Sequence, residues 1–176
     1  MRPIVTVLGG SGYIGQTLVL CLSRAGYTVR LLTRSREHTR SLWTLPGLDV
    51  REIDVYDASQ LVTAFAGSVA VVNLVGIIRE TRQQSFVRAH VLLPQDVVTA
   101  CAEAGVTRLL HMSALNADPS GPSDYLRSKG DGEAAVRASK LRWTIFQSSV
   151  VFGPDDAFLN TFARLLPQVP LLMVPS

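Results

Sequence analysis

The sequence predicts an α/β protein, a doubly wound parallel sheet with helices on both faces. Three observations carry that prediction. Near the N-terminus Ile4, Val5, Val7 and Leu8 form a short β-branched, nearly all-apolar run, as a strand buried on both faces of a parallel sheet requires. Gly9, Gly10, Gly12 and Gly15 follow at once and lead into a helical pattern. Beyond them, strand-like and helix-like segments alternate along the chain, which makes right-handed βαβ units.

Strand, glycine turn and helix in that order have one strong physical use. Residues without a Cβ let backbone N–H groups come close to a pyrophosphate, and the N-terminus of the next helix meets it with partial positive charge. The same residues satisfy G-x-G-x-x-G (Gly10, Gly12, Gly15) and G-x-x-G-x-x-G (Gly9, Gly12, Gly15), with Ser11, Tyr13 and Ile14 among them. A glycine pattern alone is also compatible with an ordinary tight βα turn. Between this strand and this helix it points to a dinucleotide, and the sheet is then of the Rossmann type. Within the helix Ile14, Leu18 and Leu22 repeat every four residues, joined by Cys21 and Ala25, and are expected to face the core. Gly26 sits where a glycine cap would end it.

With 176 residues, 47% of them hydrophobic, residues 1–176 are expected to form one domain with a real core. The longest apolar stretch, Val69 to Ile78, is interrupted by Asn73 and Gly76 and is too short to span a bilayer. Met-Arg-Pro runs directly into the first strand, so no signal or transit segment is expected and the default location is cytoplasmic. Cys21 and Cys101 lie on the apolar faces of predicted helices and read as small buried hydrophobes. His38, His90 and His111 have no ligand spacing, so no metal is expected. The formal charge is +3, and the arginines are scattered apart from Arg34, Arg36 and Arg40, which argues against nucleic-acid binding.

Thr28 to Thr33 is the second strand, with Val29 and Leu31 on one side. In such folds an acidic residue at this tip holds the 2′-hydroxyl of NAD, while an arginine accommodates the 2′-phosphate of NADP. Here Arg34 and Arg36 are present and Asp or Glu is not. A guanidinium fork suits phosphate, so NADP(H) is expected, with NAD(H) as the alternative cofactor. A solvated basic loop is the competing explanation of the arginines.

His38 to Leu48 is an irregular or short helical connection closed by Pro46-Gly47. Val50 to Asp54 reads as a third strand, and Asp57 as the N-cap of a helix carrying Leu61, Ala64 and Phe65 and ending at Gly67. Val69 to Val75 is a fourth, doubly buried strand. Asn73, Gly76 and Ile77 at its end are expected beside the cofactor, because ligands in open α/β sheets bind outside the carboxyl ends of strands. Ser85 to Ala104 is a long amphipathic helix with Phe86, Leu93, Val97 and Cys101 inward, and Pro94 inside it implies a kink or break. Val106 to Met112 is the fifth strand, running into Ser113. Ser123 caps a helix through Ala138, Trp143 to Val151 is a sixth strand broken by Phe152-Gly153-Pro154, and Phe158 to Leu166 is a last short helix. The chain ends soon after, so any substrate-covering region is expected to be small or to lie beyond Ser176.

Tyr125 and Lys129 lie four apart on one predicted helix and share a face. An ammonium beside a phenol favours the phenolate and lowers its pKa, making the tyrosine a proton donor and acceptor near neutral pH. Ser113, at the end of the preceding strand, is placed to hydrogen-bond a substrate carbonyl. The competing explanation is an ordinary helix-surface pair.

Together with Gly9-x-x-Gly12-x-x-Gly15 and the Asp54-Val55 pair after the third strand, these residues resemble the short-chain dehydrogenase/reductase superfamily in its extended and atypical branch. Asn73-Leu74-Val75-Gly76-Ile77, His111-Met112-Ser113-Ala114-Leu115, Ser123-Asp124-Tyr125 and Ser149-Val150-Val151-Phe152-Gly153-Pro154 are more closely similar to the NAD(P)H-binding accessory subunits of respiratory complex I and their bacterial relatives. The resemblance covers essentially the whole chain. It implies a bound NADP(H), with Gly9 to Gly15 at the pyrophosphate and Arg34 at the 2′-phosphate. It implies Asp54 and Val55 at the adenine, Asn73, Leu74, Val75 and Gly76 along the cofactor, and Lys129 on the nicotinamide ribose. In active members the tyrosine is the general acid/base, the lysine lowers its pKa and a Ser or Thr orients the substrate, which implies catalytic roles for Tyr125, Lys129 and Ser113. Subunits of a respiratory complex become expected partners, with a peripheral place at the inner membrane through them.

The chain departs from the family pattern in two places. Extended members usually carry Arg-Pro where this chain has Gln147-Ser148, and residues 1–176 are expected to lack the family's usual C-terminal substrate-binding portion. Three functions follow: an accessory or assembly subunit whose fold NADP(H) stabilises, a working oxidoreductase or nucleotide-sugar epimerase, or a sensor that reports bound NADP(H) to a partner.

Overall fold

The computed structural model describes residues 2–153. Strands β1 (Ile4–Leu8), β2 (Thr28–Thr33), β3 (Leu48–Glu52), β4 (Ser68–Asn73), β5 (Arg108–Ala114) and β6 (Arg142–Ser148) form one sheet in the order β3-β2-β1-β4-β5-β6. Every neighbouring pair is parallel. Helices α1 (Tyr13–Arg24), α2 (Ala58–Phe65), α3 (Leu93–Glu103) and α4 (Asp124–Ala138) make the crossovers, with a 3-10 helix at Arg36–Leu42 between β2 and β3. The order reverses beside β1, between β2 and β4, which opens a crevice at the carboxyl ends of those strands.

The two faces of the sheet carry separate cores, as alternation along each strand dictates. Val5 and Val7 of β1 pack with Val29, Leu31 and Val72 against Val19 of α1. Leu8 and Leu32 point the other way, onto Phe65 of α2, Val97 and Cys101 of α3 and Val136 of α4. Each fully buried side chain of this size contributes about 1.5–3 kcal/mol relative to exposure. Thr6 is buried too, and its hydroxyl is satisfied by Ser68 Oγ at 2.7 Å.

Four expectations need correction or refinement. The inner face of α1 runs through Gly15, Val19 and Ser23, one residue on from the expected row, so Ile14, Leu18 and Leu22 are half-buried and Cys21 is exposed. The reason is the close approach of Gly15 to the backbone of Gly9 and Gly10, which fixes the rotation of the helix. β3 begins two residues early, because Val29 N–H bonds the Gly47 carbonyl at 2.8 Å and starts the ladder there. β6 stops at Ser148, leaving Val150 and Val151 outside the sheet. Pro94 does not break its helix: a π turn, Val87–Leu92, leads straight into α3. The caps at Asp57 and Ser123 form as expected, accepting from Ser59 N and Leu126 N. The short helix expected at Phe158 to Leu166 and Pro154 of the last motif lie outside the described residues.

Candidate functional site

The first strand delivers the chain to a turn that only glycines can build. Gly9 has φ +76°, and a Cβ there would lie 2.9 Å from the backbone carbon of Leu74 and nitrogen of Val75. A Cβ at Gly15 would collide with the backbone of Gly10 and Gly9, and one at Gly10 with the Leu31 side chain. Gly12 N–H closes the turn on the Gly9 carbonyl at 3.0 Å and Gly12 is the N-cap of α1, with no side chain capping the helix. The first-turn N–H groups of α1 therefore open on the crevice with no acidic side chain among them. This cradle fits a pyrophosphate.

A groove of about 290 Å³ leads from the cradle past Ser11, Thr33, Arg34, Val55 and Tyr56 to Leu74, Val75, Gly76 and Ile77. Arg34 leaves the tip of β2 on the groove wall. Gln84, with its amide oxygen turned toward the arginine as the network demands, accepts from both Nη atoms at 3.0 and 3.2 Å. Val55 is buried on the floor, whereas Asp54 lines the neighbouring hollow, where its carboxylate lies 3.8 Å from Arg88. Arg88 stacks over the Tyr56 ring at 4.4 Å. Burial raises the Tyr56 phenol pKa, and the two arginines partly offset that rise.

A second groove of about 720 Å³ opens beyond the glycines, walled by Tyr13, Ile14, Ile78, Leu115 and Val150, with Ser113, Tyr125 and Lys129 together on it. α4 supplies Tyr125 and Lys129 one turn apart. Lys129 is 5% exposed and its Nζ donates to the Met112 carbonyl at 2.8 Å. Burial lowers its pKa to about 8, against an opposing pull from Glu133. The expected lowering of the Tyr125 pKa is not found: burial raises it, and the ammonium beside it is turned to a backbone carbonyl. Ser113 lies close enough to the Glu133 carboxylate to help hold it ionised, yet not in hydrogen-bonding geometry, so its buried Oγ has no hydrogen-bond partner among the described residues.

The expected residues thus divide. Gly9, Ser11, Gly12, Tyr13, Ile14, Gly15, Arg34, Val55, Leu74, Val75, Gly76, Ser113, Tyr125 and Lys129 line the two grooves. Gly10 packs beneath them against Leu31. Asn73 is fully buried and lines neither groove: its Oδ1 accepts from Val75 N–H and its Nδ2 meets His111 Nδ1 at 3.3 Å. It shapes the bend that Leu74 and Val75 follow. Three groups escaped sequence reasoning. One is Gln84. A second is Glu133, which accepts from Gln147 Nε2 at 2.9 Å and 3.1 Å where the family pattern has an arginine. The third is His90, for which Pro94 four residues on was the available signal.

A family model described as NAD(P)H-binding matches residues 9–155, from the first glycine after β1 to beyond the end of β6. This chain belongs to that NAD(P)H-binding family. It is 37% identical over 175 residues to NADH dehydrogenase [ubiquinone] 1 alpha subcomplex subunit 9, mitochondrial, of Mus musculus, covering 96% of this chain and 46% of that protein. It is 29% identical over 178 residues to a ceramide reductase of Caulobacter vibrioides, covering 99% and 55%. The chain spans about half the length of these curated relatives. The fold matches that of the Bordetella bronchiseptica enzyme WbmH in complex with NAD+, with TM-score 0.81 and 20% identity over 96% of this chain and 64% of that one. These likenesses agree with the atypical short-chain dehydrogenase/reductase resemblance and with a nicotinamide dinucleotide as the cofactor. Among the described residues no helix is long and apolar enough to cross a membrane.

Proposed function

We propose that this chain is an NADP(H)-binding domain that serves as an accessory or assembly subunit of NADH:ubiquinone oxidoreductase. The observation that carries the reading is the uncapped N-terminus of α1 over a turn in which a Cβ at Gly9 or Gly15 would collide with backbone, with Arg34 at the tip of β2 beside it. Gly9, Ser11, Gly12 and the first turn of α1 would hold the pyrophosphate, and Arg34, released from Gln84, the 2′-phosphate. Val55 would lie under the adenine with Asp54 at its edge, Leu74 to Gly76 along the cofactor, and Lys129 against the nicotinamide ribose. The likeness to a mitochondrial complex subunit over nearly the whole chain supports partners in a respiratory complex. In this reading residues 1–176 act as one cofactor-binding domain held peripherally to a membrane through those partners.

A second reading, an NADP-dependent oxidoreductase or epimerase, is favoured by Ser113, Tyr125 and Lys129 sharing one groove. When bound, the cofactor would supply hydride transfer. Ser113 Oγ would donate a hydrogen bond to the substrate carbonyl, and Tyr125 Oη would give or take the proton. Burial raises the Tyr125 phenol pKa, away from the neutral range an efficient acid/base needs, so this role requires a charge brought beside it on cofactor binding. Lys129 would assist once turned from the Met112 carbonyl.

Arg34→Ala tests the cofactor choice: NADPH affinity should fall roughly tenfold or more, the scale of a charge-assisted bidentate contact, with NADH affinity nearly unchanged. Equal losses for both would contradict the 2′-phosphate role. Tyr125→Phe separates the two readings. It should leave NADPH affinity within about twofold of wild type, and should abolish turnover if turnover exists.

A further inference from the structure

Proline at position 94 has no N–H to return to the His90 carbonyl, four residues back. The chain answers with the π turn, in which Leu93 N–H bonds the Arg88 carbonyl, five residues back. The freed His90 carbonyl faces Gly132 of α4, where a Cβ would collide with it. Backbone therefore packs on backbone, and the His90 ring, 2% exposed, is held between α4 and the chain leaving β4.

Its partners define its chemical state. Nε2 accepts from Ile77 N–H at 3.1 Å and so carries no proton. Nδ1 must then be the protonated nitrogen, and it donates to Ser128 Oγ at 2.9 Å. Ser128 Oγ donates onward to the Tyr125 carbonyl at 2.9 Å. The ring stacks on Phe86 at a centroid distance of 5.4 Å and meets the Tyr125 ring edge-on at 5.5 Å. On the other side, Gly76 is close enough that a Cβ there would lie 3.7 Å from His90 Nε2 and 3.9 Å from Lys129 Nζ.

We propose that His90 is a positioning residue that ties the groove-lining backbone at Gly76 and Ile77 to the Tyr125 turn of α4, so that the two sides of the site keep one spacing. Ile77 lines both grooves, and Tyr125 stands on the second. One neutral imidazole bonded to each side is what fixes their separation. The proposal rests on the reading of these grooves as the cofactor site, but the link itself is tested without cofactor.

Two variants of the full chain separate hydrogen bonding from packing. His90→Phe keeps the ring and its stacking and removes both hydrogen bonds. His90→Gln restores an acceptor within reach of Ile77 N–H. NADPH affinity, read by fluorescence titration, should fall about tenfold in the phenylalanine variant and recover to within about threefold in the glutamine variant. The Tyr125 phenol titration, isolated by difference from Tyr125→Phe, should move in the phenylalanine variant. Wild-type values for the phenylalanine variant, or equal losses in both variants, would overturn the proposal. Should neither variant fold, the wild type still decides it. Nitrogen-15 spectra should show an Nδ1–H imidazole between pH 5 and 8, with Ile77 amide exchange strongly protected. An Nε2–H or charged ring, or an unprotected Ile77 amide, would overturn it. A wild type with those spectra that binds no NADPH would instead refute the cofactor reading and leave the link standing.

Discussion

A methyl group at Gly15 would lie 2.7 Å from the Gly10 carbonyl carbon, and the atoms in its way are backbone. At Gly10 the obstacle is the end of the Leu31 side chain, which can turn aside. Gly15→Ala should therefore cost about 3 kcal/mol or more and abolish cofactor binding, with Gly10→Ala clearly milder. Urea midpoints of the two variants check the order, and equal losses would contradict it. His90 and His111 make a second prediction. Burial first, then Lys129, lowers His90 to about 3 and His111 to about 4, below the ordinary value of 6.5. The unfolded chain takes up these protons before the folded one does. Stability should thus be full above pH 6.5 and fall progressively as pH drops toward 4, seen as a declining urea midpoint. A flat profile between pH 6.5 and 4.5 would contradict the neutral imidazoles. The glycines and the Tyr125-Lys129 pair were legible in the sequence because each is a short local pattern. His90 was not, because its partners Ile77 and Ser128 lie in other elements. That the Asn73 side chain turns inward was not legible, because a strand end beside a crevice does not say which way a side chain points.

Among the elements, those set by local chemistry were read best. Asp57 and Ser123 cap their helices, and Gly26 and Gly67 follow theirs with φ near +87° and +74°. The edges of β3 and β6 were read less well, since their ends are set by which neighbour offers the last hydrogen bond. The inner face of α1 was displaced for a related reason: apolar spacing pointed to Leu18 and Leu22, whereas the close approach at Gly15 decided the rotation. The contact of α4 with the π turn is the most demanding joint. Gly132→Ala should force these segments apart, lower the melting temperature by several degrees and weaken NADPH together with it. Ser123→Ala at the far end of α4 should cost only about 1 kcal/mol and leave NADPH affinity unchanged. If Gly132→Ala melted like wild type, the packing described for His90 would be wrong.

For the whole molecule, the parallel sheet and its helix-covered faces followed from the doubly buried first strand, the glycine turn and the alternation of strands with helices, and the solved structure of similar fold agrees with them. The crevice beside β1 is where that topology concentrates the uncapped helix, the glycine turn and Arg34. A ligand bound only by the folded state stabilises it by about 2.7 kcal/mol when present at a hundred times its dissociation constant. The most direct measurement is therefore the binding of NADPH and NADH to the full chain, followed by fluorescence and by the shift in melting temperature. Saturable NADPH binding tighter than NADH, with a matching rise in melting temperature that Arg34→Ala reduces, is the predicted result. No binding of either cofactor, or no thermal shift at saturation, would contradict the account.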